Sequence, residues 1–276
     1  MIKISCWKYW PKIEEIAKRL EDYGIDSIEE LDNIALDEIT SILDEIEIIA
    51  HDETIDFDSA KHILDDEKMN RALQLIREFY LYIGARLETN NALEIIESDD
   101  PNATLDTFHF YERYNGLLTN ESKLAHWHED KTFVFIGSGP LPLTLILFRQ
   151  KFGCKCIGIE IQEDVAKLSR QVIERLGLDD GIEILVGDET LLKDIDFDIL
   201  MVAAFAEPKD RVFSNVWEIV DEKTPVLVRT YSGMRAILYA PLTDTILRGF
   251  HKEVMLLPIG NSNNTSVLLR KIIWNI

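Results

Sequence analysis

Near residue 131 the spacing of apolar residues changes from a helical period to that of short strands. No other feature of the 276-residue chain restricts its fold as much. Upstream, Ile63, Leu64, Leu73, Ile76, Tyr80, Ile83 and Leu87 recur at three- and four-residue spacings, the stripe of a helix packed on a core. The segments IEEIAKRLEDYG and ALDEITSILDEIEIIAHD repeat that period, with Gly24 as the stop of the first. Downstream, β-branched runs alternate with amphipathic stretches such as EDVAKLSRQVIERLG and KDRVFSNVWEIV. The runs are TFVFIG, CKCIGIE, IEILVGD, FDILMVAAF, TPVLVRTY, KEVMLLPIG and TSVLLRKI. Strand–helix alternation requires a parallel sheet covered by helices. The last two runs are joined by NSNN and its neighbours, too short for a crossover helix, so they are predicted to pair antiparallel.

Charge divides at the same place. Residues 1–130 hold 31 acidic and 12 basic side chains, whereas the remainder hold 19 and 17. The acidic excess falls mostly on the solvated faces of the helices. Neither half offers the basic surface that nucleic acid or an anionic membrane requires, so neither is expected as a partner. No run approaches the ~18 apolar residues of a membrane span. The first residues, MIKISCWKYWPKIEE, lack the apolar core and small-residue cleavage site of a signal peptide. Cys6, Cys154 and Cys156 do not make a disulfide framework, and the latter two read as packing residues on one strand. A cytoplasmic location follows as the expectation.

The stretch FVFIGSGPLPLT, residues 133–144, runs a strand into a glycine turn. A dinucleotide fingerprint would place a third glycine at 142, where this chain has Pro142. Pro140 has no N–H to give a phosphate and fits only the opening turn of a helix. A loop of Gly137, Ser138, Gly139 and Pro140 thus allows close backbone approach without a dense phosphate cradle. That suits S-adenosylmethionine, which carries adenosine but no phosphate; NAD on a Rossmann fold is the competing reading. Glu160 ends the next strand, 23 residues after Gly137, where a carboxylate can take both ribose hydroxyls. Asp188, after the third strand, stands where an acid can accept the adenine amino group. Ala203 and Ala204, after the fourth, are small residues where a substrate must pass the cofactor. The expected fold is α/β: a Rossmann-like class I S-adenosylmethionine-dependent transferase domain over 121–276, preceded by an all-helical domain over 1–120.

The longer word IGSGPLPLT resembles the nicotianamine synthase family, and the resemblance runs across nearly the whole chain. LDEIEIIAHDETIDFDSAKHILDD, FYERY, LMVAAFAEPKDRVF, RTYSGMRAILYAP and NNTSVLL all look like its archaeal, thermonicotianamine-making branch. The resemblance implies a helical domain on a Rossmann-like domain. It implies transfer of 3-amino-3-carboxypropyl groups from S-adenosylmethionine to an amine, with release of methylthioadenosine. It further implies glutamate as acceptor, successive transfers, a metal-chelating product and an enzyme that itself needs no metal. Plant members make a product with an azetidine ring, so membership by itself leaves the product open.

An amine must be neutral to attack, and near pH 7 a free α-amine is mostly protonated. A carboxylate poised to take that proton is the expected device. Glu88 lies four residues after Gly84 on one helix face, and the resemblance places the family's essential glutamate there, in GARLE. Tyr114, in FYERYNG, matches a tyrosine used beside that glutamate. Without the resemblance, Glu88 reads as a helix-surface residue and Tyr114 as an interface aromatic among Phe108, Phe110 and Tyr111. Arg229, Tyr231 and Arg235 follow the fifth strand, on the side of the sheet where ligands gather. One of the two arginines is expected to fork a substrate carboxylate, and each has a salt-bridge alternative. His51, Asp52, Asp56, Asp58 and His62 read as a helix start, and His126 with His128 lack a third ligand, so no metal is predicted. An ordinary methyltransferase and a non-catalytic S-adenosylmethionine sensor are the rival functions. A homodimer is compatible with all three.

Overall fold

The structure, a computed structural model, describes residues 9–25 and 31–273, and Cys6 lies outside them. It forms two compact units. One comprises the chain to Arg86 together with Tyr231–Pro241, the other Leu87–Thr230 together with Leu242–Ile276.

The first unit is helical, as its apolar period requires. Helix α1 (Tyr9–Asp22) buries Ile13, Ile16, Ala17 and Leu20, and Gly24 stops the chain beyond it at φ +73°. Helix α2 (Leu36–Ala50) buries Ile39, Ile42, Leu43, Ile46 and Ile49. The Arg19 guanidinium on α1 closes on both Glu45 oxygens of α2, at 3.0 and 2.7 Å. Helix α3 (Phe57–Leu64) starts at Asp56, whose carboxylate accepts from the Ser59 amide at 2.8 Å. Asp56 is therefore an N-cap, the plain role its position suggested. Helix α4 (Asn70–Glu97) buries Leu73, Ile76, Tyr80 and Ile83, the stripe read from the sequence, and continues into the second unit. The segment 231–241 returns to the first unit and makes a 3₁₀ turn over Gly233–Ile237. Gly233 sits at φ +57°, with the Phe57 ring 3.5 Å from where a Cβ would stand.

Two short helices, α5 (Pro101–Asp106) and α6 (Tyr111–Glu121), precede the sheet of the second unit. Its strands are β1 (Thr132–Ile136), β2 (Lys155–Glu160), β3 (Ile182–Val186), β4 (Ile199–Val202), β5 (Val226–Thr230), β6 (Phe250–Leu256) and β7 (Thr265–Lys271). Between them run helices α7 (Leu143–Phe152), α8 (Glu163–Arg175) and α9 (Lys209–Ile219). The strand order is β3-β2-β1-β4-β5-β7-β6, with β7 antiparallel to both β5 and β6. Val134, Ile136, Ile157, Ile159, Leu200, Val202, Val226, Val228 and Val267 form one buried cluster, which is why the central strands read as near-continuous apolar runs. Cys154 and Cys156 are buried, with their sulfurs 3.8 Å apart. The strand order reverses between β1 and β4. Connections leave those two strands in opposite directions, which opens a crevice at their carboxyl ends. Among the described residues, no helix is long and apolar enough to cross a membrane.

Candidate functional site

The chain enters the crevice through the glycine loop. Ile136 of β1 pairs with Val202 of β4, so the next residues, Gly137 and Ala203, meet. A Cβ on Gly137 would stand 3.2 Å from the Ala203 methyl and 3.5 Å from that of Ala206. Gly137 and Gly139 take φ of +81° and +70°, a region that only glycine adopts cheaply. Helix α7 begins only at Leu143, beyond both prolines. Pro140 therefore belongs to the loop and not to the opening turn of the helix, and the loop stays extended because neither proline can continue a helix backwards. Ser138 is buried, and a Cβ built on Gly158 of β2 would come within 2.9 Å of the Ser138 Cβ. The Ser138 side chain thus packs on the sheet, and what the loop can offer a ligand there is backbone. Gly158 is the residue that permits this packing; the sequence offered only a glycine inside a strand as its signal.

Glu160, buried at the end of β2, accepts from the Gly139 amide and from the Gln162 amide, each at 3.1 Å. Its carboxylate shapes the loop, and each oxygen keeps a second lone pair. Asp188 caps the 3₁₀ turn Glu189–Asp194 by accepting from the Thr190 amide at 3.0 Å. Hydrogen bonds from the Thr190 hydroxyl and amide hold its carboxyl below the usual range. Glu189 beside it is buried and forked by Arg211 at 3.0 and 3.2 Å.

Glu88 meets this loop from α4. Its Oε2 stands 3.0 Å from the position of a Cβ on Gly139, and the Tyr114 hydroxyl of α6 donates to its Oε1 at 3.4 Å, a long bond. The residue is half-buried, yet its carboxyl is closely enclosed, and burial pushes it up to about 8. The Tyr114 hydrogen bond and the Arg229 charge oppose that rise, while the Glu160 charge adds to it. Glu88, Tyr114, Gly139 and Glu160 are thereby gathered from α4, α6, the loop after β1 and the end of β2.

Arg229 is buried and spends its fork on Glu121 of α6. Nε donates to Oε1 at 2.7 Å, Nη2 to Oε2 at 2.8 Å, and Nη1 to the Thr144 hydroxyl at 2.9 Å. Of its two open roles, the geometry supports the salt bridge. Its guanidinium also lies 5.6 Å from the Tyr114 ring centroid, so it braces the wall of the site. Nothing in the local sequence around Glu121 marked it as the partner. Tyr231 and Arg235 belong to the first unit. Tyr231 is buried against Tyr80 and Tyr239, and Arg235 reaches Glu53 at 3.8 Å.

Residues 37–275 match the family described as Nicotianamine synthase protein. The crystal structure of MtNAS in complex with MTA and tNA is 51% identical, with a TM-score of 0.92, over 96% of this chain and 98% of that one. A glutamate-to-glutamine mutant of MtNAS in complex with S-adenosylmethionine matches with a TM-score of 0.89 over 95% and 98%. Nicotianamine synthase of Solanum lycopersicum is 24% identical over 76% of this chain and 71% of its own length. L-histidine 2-aminobutanoyltransferase of Yersinia pestis is 24% identical over 46% of this chain, and the match spans 48% of that protein.

Proposed function

This chain belongs to the nicotianamine synthase family, and from that premise we propose that it moves 3-amino-3-carboxypropyl groups from S-adenosylmethionine to the amine of an amino-acid acceptor. The acceptor in this reading is glutamate, extended in successive rounds into a metal chelator, as in the archaeal branch its sequence resembles. One observation carries the chemistry: a carboxyl raised to about 8, that of Glu88, set beside the glycine loop at the sheet's ligand edge.

An ordinary carboxylate is too weak a base to neutralise an ammonium, because a glutamate side chain titrates near ~4.3 and the α-amine of an amino acid several units higher. Burial raises Glu88 towards the amine and narrows the gap that proton transfer must cross. S-adenosylmethionine supplies a sulfonium, a leaving group that needs no acid. The new nitrogen–carbon bond forms as the carbon–sulfur bond breaks. Sulfur keeps the electron pair in methylthioadenosine, and the amine's proton passes to Glu88. Tyr114 orients the Glu88 carboxyl through its hydroxyl, and Arg229, held by Glu121, steadies the Tyr114 ring.

The loop fits this cofactor, since Gly137 and Gly139 leave bare backbone where a Cβ would crowd Ala203 and Glu88. Glu160 would take the ribose hydroxyls on its remaining lone pairs, and Asp188 the adenine amino group. Arg235 is assigned a substrate carboxylate in the same reading.

Incubation with S-adenosylmethionine and glutamate, followed by mass spectrometry, tests the proposal. Stepwise addition of aminocarboxypropyl units with equimolar methylthioadenosine supports it. S-adenosylhomocysteine would make the protein a methyltransferase, and binding without consumption would make it a sensor. Products from histidine but not from glutamate would transfer the acceptor to the amino acid for which the Yersinia pestis relative is named.

A further inference from the structure

Helix α6, in the second unit, presents two faces about a third of a turn apart. One carries Tyr114 and Glu121 towards Arg229. The other, formed by Arg113, Gly116 and Asn120, is seated on the connection between β6 and β7. The Arg113 Nε donates to the Asn261 carbonyl at 3.2 Å, and the Asn120 amide to the Leu257 carbonyl at 2.8 Å. A turn over 259–262, closed by the Ser262 amide on the Ile259 carbonyl at 3.1 Å, meets the helix at Gly116. There the Ser262 hydroxyl donates to the carbonyl of Arg113, the residue before Tyr114, at 3.0 Å. Arg113, Asn120 and Ser262 are all buried. A Cβ on Gly116 would overlap the Ser262 Oγ and stand 3.3 Å from the Ile259 carbonyl oxygen. The same connection runs on into β7, where Ser266 pairs with Arg229 and its hydroxyl lies 3.4 Å from the Glu121 carboxylate.

A glycine inside a helix is less stable than alanine, and at 116 it leaves the room this seating needs. The Ser262 hydroxyl has little freedom to yield, because it is enclosed and already bonded. A helix held along one side cannot roll, so the depth of the seat sets where the Tyr114 hydroxyl arrives. It arrives 3.4 Å from the Glu88 Oε1, near the limit of a hydrogen bond, where a small displacement makes or breaks the contact.

We propose that Gly116 and Ser262 are positioning residues, which seat α6 on the β6–β7 connection at the depth that brings the Tyr114 hydroxyl onto Glu88. The inference rests on the roles given above to Glu88 and Tyr114.

The test is a compensating pair of substitutions. Gly116→Ala should push α6 off its seat by about 1 Å, a displacement that can cost about 10²-fold in rate. Methylthioadenosine release in a single turnover should slow about 10- to 100-fold, with S-adenosylmethionine affinity within about twofold. Ser262→Ala removes the obstructing oxygen, so the double variant Gly116→Ala/Ser262→Ala should regain the rate of Ser262→Ala alone. A double variant as slow as Gly116→Ala, or slower, would overturn the proposal. The second readout needs no turnover. In protein labelled with carbon-13 glutamate, the Glu88 carboxyl is identified by its loss in Glu88→Gln and followed through pH by nuclear magnetic resonance. Burial raises this carboxyl, Tyr114 and Arg229 pull it back, and Glu160 adds to the rise. Losing the tyrosine bond should therefore move the titration upward in Gly116→Ala, and the double variant should bring it back. An unmoved Glu88 titration in a folded Gly116→Ala would mark a purely structural glycine and overturn the proposal as well. If wild type releases no methylthioadenosine, the titrations still decide the seating, and that outcome counts against the proposed reaction alone. If Gly116→Ala does not fold, Ser262→Ala is read by itself. It should show a smaller slowing and a smaller upward shift, since one bond to α6 is lost. Wild-type rate and titration there would overturn the proposal.

Discussion

The Glu88 carboxylate approaches to 3.0 Å the point where a Cβ on Gly139 would sit. The proposed base and the second glycine of the loop are thus in register, and a side chain at 139 would displace the carboxylate. Gly139→Ala should therefore damage the site twice, through strain at φ +70° and through Glu88. The strain should cost about 1–2 kcal/mol of stability. Turnover should fall further than the same loss of stability imposed at a distant surface position. Full activity in a folded Gly139→Ala would show that the close approach has no role.

Glu88→Gln keeps the shape and loses the base. Methylthioadenosine release in a single turnover is expected to slow by ~10² to 10⁴-fold. S-adenosylmethionine affinity should hold, because Glu160 and the loop are untouched. Loss of affinity together with rate would reassign Glu88 to structure.

The raised carboxyl also links stability to pH. The folded Glu88 titrates at about 8 and the unfolded one near ~4.3, so the native state holds the extra proton between those values. Its contribution is fully present below ~4.3 and is lost as pH rises through about 8. Glu88→Gln cannot ionise. It should therefore melt higher than wild type at pH 8, by about 2–4 °C for each kcal/mol recovered, and together with wild type near pH 4. A melting difference that ignores pH would contradict the shift. In activity, kcat/KM should climb with pH towards about 8 in wild type, and Glu88→Gln should lack that limb.

For Glu160, both carboxylate oxygens already serve the loop. Glu160→Ala removes the proposed ribose contact and also frees two amides. S-adenosylmethionine affinity should drop about tenfold or more, since hydrogen bonds to a charged group carry ~1.5–3 kcal/mol. Calorimetry that finds unchanged affinity in a folded variant would remove Glu160 from the site.

Glu121→Gln separates a buried pair, leaving the Arg229 charge uncompensated. A loss of about 3–5 kcal/mol is expected in chemical denaturation. Tyr114 should lose its brace as well, so turnover at temperatures where the variant stays folded should fall. A variant as stable as wild type would show that Arg229 finds its stabilisation elsewhere.

Much of this protein is legible along the chain because the signals are local. An apolar stripe with a period of three and four, a β-branched run, a glycine after a helix and a proline inside a glycine loop each act on their neighbours. Those signals located the seven strands, the stripe of α4, the Gly24 stop and the antiparallel last pair. Glu88 and Tyr114 were found through family resemblance, since a glutamate on a helix carries no local mark of its chemistry.

What the chain could not disclose depends on encounters between distant residues. Arg229 and Glu121 are 108 positions apart, and only the folded sheet shows that the arginine faces a buried glutamate and not solvent. The same is true of segment 231–241, which leaves β5 and packs with helices at the other end of the sequence. The basicity of Glu88 is the clearest case. Its residue type sets a carboxyl near ~4.3, and the surroundings assembled from α4, α6 and the glycine loop raise it to about 8. Desolvation depends on every atom that excludes water, and those atoms become neighbours only when the tertiary structure forms.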